Sequence, residues 1–131
     1  MREDKLQALL DLESLFKEIE DAVEVVIVEG SRDLDALRRL GFNGHVETYS
    51  RVGISDADMI EGLTIYNNVL ILTDFDREGR LLNNMLSNLL ERRGVKIEKR
   101  LRRAMGRLMA VLGVYAIEAI DNIENKIKHQ S

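Results

Sequence analysis

Two short runs interrupt the otherwise mixed pattern of apolar and polar positions along the chain. Val25-Val26-Ile27-Val28 and Val69-Leu70-Ile71-Leu72 are unbroken aliphatic stretches. Each is too short for a helix and has no polar face, the pattern of a strand covered on both sides in a parallel sheet. Most of the remaining chain repeats at helical spacing. Residues 3–21 place Leu6, Leu9, Leu10, Phe16 and Ile19 between acids, predicting an amphipathic N-terminal helix. After the first aliphatic run, Glu29-Gly30-Ser31 offers a tight turn and a serine able to cap a helix. That helix carries Leu34, Leu37 and Leu40 and stops at Gly41. Val46–Tyr49 is a weaker strand candidate. Ser55 can cap a brief helix through Met59 and Ile60 that ends near Gly62, and Asn67-Asn68 makes a turn.

The second aliphatic run leads directly into Thr73-Asp74-Phe75-Asp76-Arg77-Glu78-Gly79. A long helix follows, with Leu82, Met85, Leu86, Leu89 and Leu90 on one face and Gly94 as its stop. Val95–Ile97 reads as a fourth strand at an edge. A last helix is expected over about 105–127, carrying Leu108, Leu112, Tyr115, Ala119, Ile120, Ile123 and Ile127. Strands alternating with helices predict an α/β fold: a mainly parallel, Rossmann-like four-stranded sheet with helices on both faces, plus N- and C-terminal helices. The 131 residues contain no proline, no repeat and no long linker, so a single compact domain is expected over 1–131, with its core at about 24–97.

Composition narrows the chemistry. No apolar run approaches the roughly 20 residues of a membrane span, so no membrane partner is expected. The opening Met1-Arg2-Glu3-Asp4-Lys5 runs into an acidic stretch unlike a secretory signal, and a cytoplasmic location is expected. There is no cysteine and only two histidines, so a metal would be held mainly by oxygen, favouring hard cations such as Mg²⁺, Mn²⁺ or Ca²⁺. The net charge is −4, yet eight basic residues and a single acid fall between Arg92 and Arg107. A chain so polarised can present a basic surface while staying acidic as a whole.

Ligands of parallel α/β sheets collect at the carboxyl ends of the strands. Both aliphatic runs end there in acids: Glu29 after the first, Asp74 and Asp76 after the second, with Glu78 one turn on. Carboxylates brought so close need protonation or a cation. Other phosphate chemistries are excluded by what is missing. No Gly-x-x-x-x-Gly-Lys-Ser/Thr and no Gly-x-Gly-x-x-Gly is present, and no serine or cysteine sits in a nucleophile elbow. A haloacid-dehalogenase-like phosphatase places Asp-x-Asp after its first strand and follows it with a small residue, whereas here the pair comes later and Arg77 follows.

Glu29-Gly30 and Asp74-Phe75-Asp76, in this order and on successive buried strands, resemble the Toprim domain. This metal-binding module is shared by topoisomerases, bacterial primases, OLD-family nucleases, RecR and small ribosomal-RNA maturases. The segment Thr73–Gly79 is similar to the Thr-Asp-x-Asp-Arg-Glu-Gly of type IA topoisomerases, with Phe75 where that form has proline and Arg80 where it has another acid. The resemblance implies Glu29 as general acid/base, Asp74 and Asp76 as Mg²⁺ or Mn²⁺ ligands, and Glu78 as a third acid reaching the ion directly or through water. Gly30, Asp33, Arg77 and Gly79 would be accessory, Asp33 first of all as a helix-dipole residue. The nucleophilic tyrosine of topoisomerases and the zinc region of primases have no counterpart. A small stand-alone Toprim module is therefore expected.

Lys99, Arg100, Arg102, Arg103 and Arg107 continue past the Gly94 stop and are expected to contact RNA or DNA phosphates. No aromatic residues are interleaved among them, so base stacking is not. The expected function is Mg²⁺-dependent phosphodiester chemistry on nucleic acid, as a nuclease or RNA/DNA-processing enzyme. The alternatives are a non-catalytic metal- and nucleic-acid-binding accessory module and a Mg²⁺–nucleotide-binding regulator. A protein partner or a homodimer through a terminal helix is compatible with all three.

Overall fold

The computed structural model describes residues 2–50 and 53–129. Its four strands are β1 (Val25–Val28), β2 (Val46–Thr48), β3 (Asn68–Ile71) and β4 (Lys96–Ile97). All run parallel, in the order β2-β1-β3-β4. Six helices connect and flank them: α1 (Arg2–Ala22), α2 (Ser31–Arg39), α3 (Asp56–Leu63), α4 (Arg77–Arg92), α5 (Lys99–Leu112) and α6 (Ile117–His129).

Period-two alternation along β1 and β3 divides the core between the two faces of the sheet. Val26, Val28, Leu70 and Leu72 point toward α1, α2, α5 and α6. Val25, Ile27, Val69 and Ile71 point toward α3 and α4. Both strands are buried throughout apart from the first residue of β3, as unbroken aliphatic runs require. The chain moves outward from β1 to β2, then returns past β1 to β3. The order therefore reverses between β1 and β3, which is where an open α/β sheet leaves its crevice.

The helices differ from the sequence pattern in two places. The α1 stripe is Ala8, Leu12, Leu15, Phe16 and Ile19, while Leu6 and Leu10 face outward. Its apolar face is rotated toward α5, whose Leu101, Met105, Met109 and Leu112 recur one per turn. The single helix expected over 105–127 is two helices, and the first begins at Lys99. Gly113 stops it in a left-handed conformation (φ 73°), the usual glycine C-cap. Leu108, Leu112 and Tyr115 keep helical spacing across that stop, which hides the break. Tyr115 is in fact exposed, and α6 buries Ile117 and Ile120 instead. An ion pair of 2.7 Å between Arg39 and the buried Asp121 ties α6 to α2.

At only two residues, β4 is shorter than its neighbour. The backbone N–H groups of Lys96 and Glu98 donate to the carbonyls of Asn67 and Val69, both at 2.8 Å, and the strand stops there. The next carbonyls on the same edge of β3, Ile71 and Thr73, accept from the guanidinium of Arg102 on α5 at 3.1 and 2.9 Å. Arg102 takes the place of the missing length of strand.

Candidate metal and nucleic-acid site

Glu29 and Asp74 follow β1 and β3 at the reversal of strand order. Together with Arg32 and Asp33 from α2, Glu118 from α6 and Ser50 they line one open pocket of about 380 Å³. Asp33 is buried, and its carboxylate accepts from the Gly30 N–H at 3.3 Å, closing the first turn of α2. Gly30, not Ser31, is the cap of that helix. Its backbone is extended, and a side-chain carbon there would meet nothing within 4 Å. The glycine is thus not required by its own turn, and it leaves the floor of the pocket clear.

Burial pushes the Asp74 carboxyl up to about 7, and the charges of Glu29, Asp33, Asp76 and Glu118 add to the effect in that order. Asp33 is also raised, first by burial and then by Glu118 and Glu29, against the lowering effect of its bond from Gly30. Glu118 was not foreseen. It stands in the first turn of α6, and only reading Gly113 as a helix stop would have placed it there.

The Asp74 backbone is held from several sides. Thr73, fully buried, donates its hydroxyl to the Gly79 carbonyl at 2.7 Å. A Cβ on Gly79 would lie 1.9 Å from the Asp74 carbonyl oxygen, so only glycine lets α4 start this close to the strand. Arg102 donates to the Asp74 carbonyl at 3.2 Å and lies over the Phe75 ring, 4.1 Å from its centroid. Phe75 in turn rests on Gly106, where a side chain would touch the ring at 3.0 Å. The Phe75 N–H donates to the Tyr115 carbonyl at 2.7 Å, and its own carbonyl accepts from Arg80 at 2.9 Å.

The other acids sit differently. Asp76 is the N-cap of α4, its Oδ1 accepting from the Gly79 N–H at 2.8 Å. Asp76, Arg77 and Glu78 are all exposed at the start of α4, and none of the three lines the pocket. Among the described residues, no three acidic or imidazole side chains stand close enough to enclose an ion.

The basic stretch separates by helix face. Arg100 pairs with Glu18 of α1, and Arg102 is turned inward with its guanidinium on three backbone carbonyls. Burial, then Arg80, lowers Arg102 to about 10, and Glu29 and Asp74 act against this. It stays charged at neutral pH and braces the loop, with donors already engaged by carbonyls where the sequence suggested a phosphate contact. Lys99, Arg103 and Arg107, spaced four apart, share the remaining outward ridge. Lys99 pairs with Glu91 at 3.1 Å. Among the described residues, neither Arg103 nor Arg107 is in an ion pair.

Residues 23–100 match the model of the Toprim domain. The chain belongs to this family. Its relatives are small proteins of similar length. A UPF0292 protein of Pyrococcus abyssi is 32% identical over 85% of this chain and 82% of its own length. Another, of Methanocaldococcus jannaschii, is 30% identical over 95% of this chain and 96% of its own. The solved structure of a protein from Aquifex aeolicus superposes with a TM-score of 0.67 at 26% identity, covering 82% of this chain and 96% of that one. The Toprim match spans all four strands, Glu29, the Asp74 loop and the start of α5. It leaves α1, most of α5 and α6 outside. Toprim domains typically bind Mg²⁺, and membership points to metal-dependent work on nucleic acid. No helix among the described residues is long and apolar enough to cross a membrane.

Proposed function

We propose that this Toprim protein performs Mg²⁺-dependent phosphodiester chemistry on nucleic acid, as a nuclease or RNA- or DNA-processing enzyme. One observation carries the reading: Asp74 and Glu29 share a pocket at the reversal of strand order, where burial first and then the charge of Glu29 and its neighbours raise Asp74 to about 7. Such a pocket either holds a proton or attracts a cation. The donors are all oxygen. Mg²⁺ needs no closed cage, since it keeps several waters and is held by one or two carboxylates plus substrate phosphate. Asp74 would hold the ion with the second oxygen of Asp76, whose first is engaged by Gly79, and Glu78 would reach it through water.

A bound divalent ion would supply neutralisation of the charge that builds on the phosphoryl group. The Glu29 carboxylate would move a proton at the attacking or leaving oxygen. Open space above Gly30 admits a phosphate, and the braced loop keeps Asp74 from retreating when one arrives. A second reading, a metal- and nucleic-acid-binding module without turnover, is favoured by Asp76 serving as a helix cap and Glu78 standing outside the pocket.

The test is incubation of the full chain with labelled single-stranded and duplex RNA and DNA, with Mg²⁺, Mn²⁺ or chelator. Cleavage should require the metal. It should fall about 100-fold or more in Asp74→Asn and Glu29→Gln, with circular dichroism unchanged. Binding without cleavage of any substrate supports the module. Undiminished cutting by folded Asp74→Asn overturns the site.

A further inference from the structure

We infer that the groove between α4 and α5 seats a single nucleic-acid strand and leads it to Asp74. The purpose given to the strand's end rests on the phosphodiester reading above, while the binding itself does not. The groove exists because β4 stops early. With the sheet edge ending at Ile97, α4 on one face and α5 on the other have no strand between them. They leave an opening of about 560 Å³ floored by Ile71, Ile97 and Arg102, a size that accepts a ligand of a nucleotide or two.

The two walls differ in kind. On α4, Arg80, Asn84 and Asn88 recur every fourth residue, with Asn83 and Ser87 on the adjoining row. On α5 the wall carries Lys99 and Arg103, and the acid at its start, Glu98, is paired with Lys96 at 3.5 Å. Asparagine is a poor helix former, and three within six residues of α4 are not explained by packing, since none is buried. Each amide offers both donors and an acceptor. A single strand is two-sided in the same way, with phosphates along one side and the hydrogen-bonding edges of its bases along the other. An acidic peptide would have no use for the amide row, and a duplex buries the Watson–Crick edges of its bases and is convex. Stacking plays no part, because Phe75, the aromatic residue in the groove, is covered by Arg102.

The groove also has a direction. The Lys99–Glu91 pair closes it where α4 ends and α5 begins. At the opposite end stand Arg80 and Phe75, next to Asp74. A strand lying between the walls therefore emerges beside the acidic pocket.

Fluorescence anisotropy with a labelled single-stranded oligonucleotide of about 12 nucleotides, its duplex and a mononucleotide, in chelator so that nothing is cut, tests this on the full chain. The oligonucleotide should bind more tightly than the duplex or the mononucleotide. Asn84→Asp/Asn88→Asp and Lys99→Glu/Arg103→Glu, all at solvent-facing helix positions, should each weaken it at least about tenfold. Lys126→Glu, a charge reversal elsewhere, should leave it within about twofold. The lysine–arginine double variant should also flatten the salt dependence. Equal losses in all three variants, duplex or mononucleotide preferred, or no binding by the wild type would each overturn the proposal. If no substrate is ever cut but the groove variants lose binding, the phosphodiester reading fails and the groove stands. If Asp74→Asn abolishes cutting while groove variants bind and cut normally, the groove fails and the site stands.

Discussion

Asp74 illustrates how a single carboxyl can tie stability to pH in the unexpected direction. Its ordinary value is 3.8, and in the folded protein burial and the neighbouring carboxylates move it to about 7. Between these values the folded state holds a proton that the unfolded chain has released, so stability falls as pH rises through this window. Asp74→Asn removes the loss. The variant should be more stable than wild type at pH 8 in chelator, by about 1–2 kcal/mol once solvent screening of a half-exposed group is allowed for, or ~3–8 °C in Tm. The gain should vanish at or below about pH 4. Thermal melts at the two pH values check this, and a gain of equal size at both would rule out a titration origin. Glu29 and Asp74 were legible in the sequence because acids following fully aliphatic runs must emerge at the carboxyl edge of the sheet. Arg102 was not, because a sequence gives a charge but not the side from which carbonyls approach it.

At the scale of elements, the strands were easier to read than the helices around them. Four aliphatic residues in a row leave little choice but a doubly covered strand, so β1 and β3 were plain. Helical periodicity tolerates rotation and interruption. Thus Leu12 and Leu15 displaced Leu6 and Leu10 on α1, and Gly113 divided a pattern that looked continuous. The brevity of β4 could be guessed, but not the means by which α5 compensates for it. Lysine carries the charge of arginine without its planar fork, so Arg102→Lys tests that compensation. Loss of two of three charge-assisted bonds to carbonyls of the β3 edge and the loop after it should cost about 2–3 kcal/mol. This would be read as a lower urea midpoint at unchanged slope. An unmoved midpoint would mean that water satisfies those carbonyls equally well.

Across the whole molecule the charge is divided. An acidic pocket at the β1–β3 reversal lies one loop away from a groove with a cationic wall, and Asp74 belongs to the segment between them. The net charge of −4 thus conceals two surfaces with opposite requirements. A divalent cation that binds only the folded chain must stabilise it by mass action. At ten times its dissociation constant the gain is about 1.4 kcal/mol, or ~5 °C for a chain of this size. Mg²⁺ added at pH 8 should therefore raise the Tm of wild type and leave Asp74→Asn unchanged. A rise of the same size in both would place the ion elsewhere.

The stand-in for a fourth strand bears on how copies of this chain meet. An open sheet edge is a template on which a strand from another molecule can be laid down, and proteins blunt such edges with charge or cover. Here the two carbonyls beyond the end of β4 are occupied by a side chain anchored on a packed helix. A strand arriving at these two carbonyls would have to displace a half-buried guanidinium before bonding to them. The side chain that steadies Asp74 from behind also blunts the stretch of sheet edge that β4 leaves open.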